Sequence, residues 1–271
     1  MPDPVTSADL LAGLARLGVR AGERVLVHAS LSRFGRVRGG ATTVVDALLE
    51  AVGPSGTLLA PAFTFHNIKA ERPFLDMRAT PSGMGAIPEE VRRRAGAHRS
   101  AHLTHSVAAV GPAAAEFTRE HSLTPCGEAS AFWKLIRRGG PGGPGGGSVV
   151  LLGVPLNVVT LFHAVEERLG VPYMGFRDLH GEMRDASGAA RTLHSQCHDP
   201  ARPYDFNPLA APLAGAGLLA ETAIGGAICR RVEAPALWEY LAPRIEREPE
   251  FLARKTEESL KIPVAADGSV A

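Results

Sequence analysis

The chain has 271 residues, enough for one large domain or two small ones, and 45% hydrophobic residues can supply a core for either. Its 29 Lys and Arg residues against 28 Asp and Glu give a formal charge of +1, which excludes a broadly basic surface built to neutralise many phosphates; no nucleic-acid partner is expected. No stretch approaches the roughly 18 apolar residues of a membrane span, so no membrane partner is expected either.

In chain order, Ser7 is placed to cap a helix with apolar positions Leu10, Leu11, Leu14 and Leu17, ended by Gly18. Residues 24–28 form a short apolar run that reads as a buried strand. A loop over 30–40 carries Gly35, Gly39 and Gly40, and a helix starting at Thr42 or Thr43 runs through Val44, Val45, Leu48, Leu49 and Val52 to Gly53-Pro54. Residues 57–63 read as a strand, 88–94 as a short helix, 106–110 as a strand, and 113–121 and 130–138 as helices. The glycine-proline segment 139–147 reads as a flexible surface insertion, since it lacks the lysine and hydroxyl residue of a phosphate-binding P-loop. A buried strand at 148–154 then leads to a helix at 160–169. A hairpin over 175–195 turns at 185–188, and helices are predicted at 209–216 and 236–254. Such alternation predicts an α/β fold, a central sheet with helices on both faces, in a single domain over 1–262 with a flexible tail at 263–271.

Cys126, Cys197 and Cys229 are odd in number and include no C-x-x-C pair, which argues against a disulfide framework and a structural zinc. The opening Met1-Pro2-Asp3-Pro4 lacks the pattern of a signal peptide, and a cytoplasmic location is expected.

Chemistry concentrates after the 148–154 strand. On a helix Thr160, His163 and Glu166 follow i, i+3, i+6 spacing, and Glu167 lies at i+4 from His163. A carboxylate touching His163 would fix its tautomer and raise its basicity, as a general base requires. Spacing alone leaves a second reading open, a solvated helix face. Zinc motifs on this helix fail for want of a second histidine, and His194 and His198 flank a hairpin end rather than a helix; no metal is expected. The stretch from Val27 to Gly40 leaves a strand and enters a helix through glycines, which exposes backbone amides to anionic or carbonyl groups. Arg33, Arg36 and Arg38 are either phosphate contacts or solvated side chains. A third polar stretch, from Arg99 to Ser106, carries His102 and His105.

Together these stretches resemble the aminoglycoside 3-N-acetyltransferase (antibiotic N-acetyltransferase) family. The resemblance is carried by V-H-A-S-L-S-R-F-G-R-V-R-G-G-A-T-T-V-V-D-A-L from Val27, G-P-S-G-T-L from Gly53 and R-S-A-H-L-T-H-S from Arg99. It continues in P-C-G-E-A-S-A-F-W-K-L from Pro125 and L-L-G-V-P-L-N-V-V-T-L-F-H-A-V-E from Leu151, covering roughly residues 7–255. It implies a mixed central sheet and acetyl-CoA as co-substrate. It further implies His163 as general base, Glu166 as its orienting carboxylate, and Thr160 at the thioester or its oxyanion. His28, Ala29, Ser30, Leu31, Ser32, Val37, Gly39, Gly40 and Thr42 would line the pantetheine and pyrophosphate, with Ser106 on the pantetheine arm. Asp205 and Asn207 would lie near the acceptor amine, with Glu167 on the same side.

The implied partner is an amine-bearing small molecule, and the chain is expected to be a monomer or a homodimer. Direct transfer is expected rather than an acetyl-enzyme, because no cysteine falls in the segments around His28 or His163. Polycationic acceptors want acidic pockets. Here the acids Asp178, Glu182, Asp185, Asp199 and Asp205 are balanced by Arg177, Arg184, Arg191 and Arg202. A non-aminoglycoside amine, such as a biosynthetic intermediate, therefore stays open, as does a non-catalytic homologue that binds coenzyme A or a drug.

Overall fold

Two-residue alternation in three short apolar runs decides where everything else packs. In β1 (Arg24–Ala29), Val25 and Val27 join one core cluster while Leu26 joins another on the opposite face. In β2 (Thr57–Pro61) Leu58 and Ala60 oppose Leu59, and in β6 (Gly147–Leu152) Val150 and Leu152 oppose Val149 and Leu151. Strands apolar on both faces need helices on both faces. The computed structural model, which describes residues 3–137, 147–199 and 204–253, has them. α1 (Ser7–Arg16), α2 (Gly40–Val52) and α3 (Ala86–Arg93) cover the Val25 face. α4 (Ala114–Thr118), α5 (Ala131–Arg137), α6 (Thr160–Leu169), α7 (Ala210–Gly215) and α8 (Ala234–Arg247) cover the Leu26 face.

β1 lies between β2 and β6 and runs parallel to both, with Leu26 opposite Leu59 and Val149. Outside β2 come β5 (Val107–Val110) and β4 (His98–Arg99), each antiparallel to its inner neighbour. Outside β6 come β10 (Ala227–Glu233) and β9 (Leu219–Ile224), also antiparallel, to complete a seven-stranded mixed sheet. The expected architecture is therefore present, with one addition. β3 (Phe74–Asp76), β7 (Phe176–Arg184) and β8 (Ala190–His198) form a second, three-stranded sheet over Leu75, Leu103, Leu179, Met183 and Cys197. Among the described residues no helix is long and apolar enough to cross a membrane.

Several boundaries differ from the sequence expectation for local reasons. The α1 cap is Thr6, not Ser7: Thr6 Oγ1 accepts from Asp9 N–H, and Asp9 accepts from Thr6 N–H at 2.9 Å, a capping box. α2 starts at Gly40 instead of Thr42, because Gly39 caps it with φ +81°, which needs no side chain. Gly147 belongs to β6, opposite Arg24, rather than to the preceding insertion. The remainder of that insertion and the tail beyond Pro263 lie outside the described residues. α8 begins at Ala234, two residues before the expected start, and ends at Arg247.

The hairpin β9–β10 was not predicted, although Gly225-Gly226 between two alternating runs is a two-residue turn signal. Gly225 has φ +55°, and a Cβ there would lie 2.4 Å from Val5 Cγ2 and 2.6 Å from the Phe34 carbonyl oxygen. The turn thus locks the hairpin onto the loop after β1. Gly225→Ala is expected to destabilise the fold by about 1–3 kcal/mol, read as a lower midpoint in thermal unfolding; an unchanged midpoint would contradict this account of the turn.

Candidate active site

The parallel strands β1, β2 and β6 end at one edge of the sheet, the place where open α/β sheets gather ligands. A cavity of about 750 Å³ opens there. Its walls include His28 from β1, Phe63 and Phe65 beyond β2, Asn157 to Val159 between β6 and α6, and Thr160 at the start of α6. His28 shares the Leu26 face of β1 by alternation, so its ring turns toward the α6 side of the sheet. Burial pushes its pKa down to about 4, and its Nε2 is a buried polar atom without a protein partner among the described residues.

α6 follows a short turn at Leu156–Val158 and ends at Gly170, whose φ of +64° makes a left-handed C-cap. Every residue from Thr160 to Glu166 is buried, which decides between the two readings left open by spacing: this is no solvated face. His163 Nδ1–H donates to Glu166 Oε2 at 2.6 Å, and the Tyr173 hydroxyl donates to Glu166 Oε1 at 2.7 Å. Both oxygens of a carboxylate that is 1% exposed are therefore bonded. Because Nδ1 carries the proton, the lone pair of His163 sits on Nε2. That nitrogen has no hydrogen bond to a described residue, and the ring lines the cavity. Tyr204 packs edge-on against His163 with ring centroids 4.5 Å apart, and Phe206 lies at 5.2 Å. Thr160, at the first position of α6, lines the cavity, and the helix has no side-chain cap there.

A second histidine–carboxylate pair adjoins the first. His198 Nε2–H donates to Glu167 Oε1 at 2.5 Å, and the same oxygen accepts from the Cys126 amide at 2.8 Å. The rings of His163 and His198 are 4.9 Å apart, and both line the cavity. Glu167, expected on the acceptor side, is thus set behind His198 and does not line this cavity. Cys126, Glu167 and His198 bring donor atoms within 4.8 Å of one another, a grouping of metal-ligating types. His198 Nε2 and the Cys126 amide both bond Glu167 Oε1, and the Cys126 thiol donates to the Thr160 carbonyl. Burial, with the adjoining carboxylates Glu167 and Glu166, pushes the Cys126 thiol well above the ordinary range, which disfavours the thiolate form.

The residues expected at the coenzyme fall into two groups. His28, Ala29, Ser30, Leu31 and Ser32 run from the end of β1 into a short turn, where Ser30 N–H donates to the Leu152 carbonyl and the two serine hydroxyls lie 3.2 Å apart. Val37 pairs with Val5, and Gly39, Gly40 and Thr42 open α2, whose N-terminus also lacks a side-chain cap. Ser106 is placed otherwise. It is fully buried, accepts from Arg99 Nε at 2.9 Å and donates to the Ala62 carbonyl at 2.7 Å, so its hydroxyl secures Arg99 rather than meeting a coenzyme arm. Asp205 and Asn207 do not line the cavity. Asp205 accepts from Asn207 N–H, and Asn207 accepts from Asn157 N–H, which ties this segment to the turn before α6.

The sequence profile of the aminoglycoside 3-N-acetyltransferase family matches residues 26–246. The chain belongs to this family. Aminoglycoside N(3)-acetyltransferase VIII of Streptomyces fradiae is 38% identical over 187 residues, 62% of this chain and 63% of that one. Aminoglycoside N(3)-acetyltransferase VII of Streptomyces paromomycinus is 36% identical over 193 residues, 65% of each. The chain thus spans just under two thirds of the length of these curated relatives. Among solved structures, aminoglycoside acetyltransferase AAC(3)-Xa superposes with a TM-score of 0.78 at 31% identity, covering 93% of this chain and 95% of that one. The binary complex of AAC-IIIb with CoASH also gives 0.78, at 27% identity, covering 90% and 97%.

For a member of the aminoglycoside 3-N-acetyltransferase family, the unforeseen residues are His198, Tyr173, Tyr204 and His105. The polar stretch 100–106 is an irregular, turn-containing segment whose polar side chains, His102 and His105 among them, are turned inward and buried. His102 Nδ1 accepts from the amides of Thr104 and His105, and His105 lies 5.4 Å from His198. Burial lowers the pKa of His28 and His121 to about 4 and holds His102 and His105 well below the usual value. An unfolded chain takes up these protons near pH 6.5, whereas folded His28 and His121 resist until about pH 4, and His102 and His105 resist protonation well below the usual range. The unfolded state therefore binds more protons in this window, and stability falls as pH falls through it. The thermal midpoint is expected to drop steadily from about pH 6.5 toward 4, each unit of separation per ring being worth roughly 1.4 kcal/mol. A flat midpoint over that range would contradict the burial of neutral histidines.

Proposed function

We propose that the chain transfers an acetyl group from acetyl-CoA directly to a primary amine of a small molecule, the 3-amino group of an aminoglycoside being the acceptor to which the family relation points. The observation that carries this reading is the buried Tyr173–Glu166–His163 chain, which ends on an Nε2 with no hydrogen bond to a described residue, on a ring that lines the cavity. An amine attacks a thioester only with its lone pair free, and a carboxylate-supported imidazole takes up the proton released as the C–N bond forms. His163 holds that role, Glu166 fixes its tautomer, and Tyr173 fixes Glu166. The Thr160 hydroxyl and the uncapped amides at the start of α6 offer donors to the tetrahedral oxyanion. The Nε2 of His28, without a partner among the described residues, suits a polar group from an acyl donor seated against β1. The glycine-bracketed start of α2 suits the coenzyme's pyrophosphate, with Val37, Gly39, Gly40 and Thr42 around it.

One observation favours a second acceptor class, a less cationic amine. The described residues that line the cavity include Lys69 and the apolar Phe63, Phe65, Ile68 and Met84, and no carboxylate. A polycation wants the reverse.

The test is release of free thiol from acetyl-CoA with a panel of aminoglycosides and of monoamines flanked by apolar groups. Turnover is expected with at least one, and His163→Ala should lower it by about 10²–10⁴-fold while coenzyme affinity stays within a few-fold. Tight coenzyme binding with no thiol release for any amine would overturn the enzyme reading in favour of a binding protein. Unchanged turnover in His163→Ala would remove that residue from the base role.

A further inference from the structure

The acetyl-transfer reading uses one of the two imidazoles that consecutive carboxylates of α6 hold against the cavity. We propose that His198, positioned by Glu167, is a second proton acceptor of the same site: it deprotonates the incoming ammonium and leaves His163 free for the proton released during attack. The proposal rests on the acetyl-transfer reading and extends it.

The chemistry calls for two acceptors. A primary alkylamine near neutral pH is an ammonium, and two of its protons leave nitrogen before a neutral amide is formed. If His163 takes the first, its Nε2 lone pair is occupied when the second must go. The structure places a second lone pair close by. His198 Nε2–H points at Glu167 Oε1 (2.5 Å), so its lone pair sits on Nδ1, which has no hydrogen bond to a described residue, and the ring lines the same cavity 4.9 Å from that of His163. Two imidazolium rings at that separation repel each other, and each has its own carboxylate, Glu166 or Glu167, as counterion. Glu167 is held in turn by the Cys126 amide (2.8 Å), as Glu166 is held by Tyr173.

The steps balance. The ammonium gives its first proton to His198 Nδ1, and the freed nitrogen lone pair attacks the thioester carbonyl carbon while the carbonyl π electrons move to oxygen. The second proton passes to His163 Nε2. Collapse of the tetrahedral adduct restores C=O and breaks the C–S bond, whose electron pair leaves on sulfur. His163 returns its proton to that thiolate, and His198 discharges its proton to solvent. The products are one amide, one thiol and one proton.

The groups facing His198 agree with an ordinarily neutral ring. His163, Glu166 and Glu167 face it from α6, His105 and His102 from the 99–106 stretch, and Cys126 from the segment before α5. Burial lowers its pKa, and the hydrogen bond it donates to Glu167 opposes that shift.

The test is the pH dependence of kcat/KM for wild type, His198→Gln and Glu167→Gln with two acceptors, a strongly basic alkylamine and an amine that is already unprotonated at neutral pH. Gln at 198 keeps a donor for Glu167 without offering a base. With the alkylamine at about pH 7, His198→Gln should lose about 10²-fold or more. The deficit should shrink about tenfold per pH unit toward the amine's own pKa, and with the weakly basic amine it should be at least tenfold smaller. Glu167→Gln should show the same pattern in milder form. Equal losses at every pH and with both acceptors would mark His198 as merely structural and overturn the proposal. So would stoichiometric zinc in the purified chain that is lost in Cys126→Ser, because a metal would then claim His198 Nε2. A wild-type chain that releases no thiol with any amine overturns the acetyl-transfer reading and this one with it, whereas a working wild type with a pH-independent deficit overturns this one alone.

Discussion

A carboxylate buried to 1% exposure survives in a fold only when its oxygens are bonded, and the arrangement around Glu166 follows from that requirement. One oxygen takes the Tyr173 hydroxyl and the other takes His163 Nδ1–H. The second bond has a consequence beyond stability, since a ring that donates from Nδ1 presents Nε2 as an acceptor. The same helix repeats the device one residue later with Glu167 and His198. Stability and chemistry are thus the same contacts seen from two sides, and loss of either carboxylate would leave a ring without a defined tautomer.

The sheet determines where those rings sit. Parallel pairing of β1 with β2 and β6 brings three strand ends to one edge, and strict alternation in β1 puts His28 on the side covered by α6. The antiparallel additions on both flanks, β5–β4 and β10–β9, extend the sheet without lending residues to that edge from the β9–β10 hairpin. β8, though outside the main sheet, delivers Cys197 and His198 to the cavity. The site is therefore assembled between two sheets, with α6 as the shared support.

Much of this was legible in the sequence because it is local. The periodicity of residues 160–169 gave the helix its observed bounds, and i, i+3 spacing paired His163 with Glu166. The apolar runs of β1 and β6 declared a sheet buried on both faces. What escaped depends on contacts distant in the chain. Tyr173 meets Glu166 only because Gly170 reverses the chain, and His198 meets Glu167 across 31 positions. The family resemblance put Glu167 on the acceptor side, and helical spacing put it at i+4 from His163, but neither says which ring from β8 will claim it. Ser106 looked available as a hydroxyl in a polar stretch; the Arg99 side chain that binds it is buried, and a buried guanidinium needs such partners.

The central claim is that Glu166 fixes His163 with its proton on Nδ1 and its lone pair on Nε2, facing the cavity. Long-range proton–nitrogen NMR of the imidazole rings reads that tautomer directly, with His163→Gln to assign the signal. The account predicts a protonated Nδ1 and an unprotonated Nε2 in the neutral ring, lost in Glu166→Gln. A neutral His163 ring carrying its proton on Nε2 would contradict it.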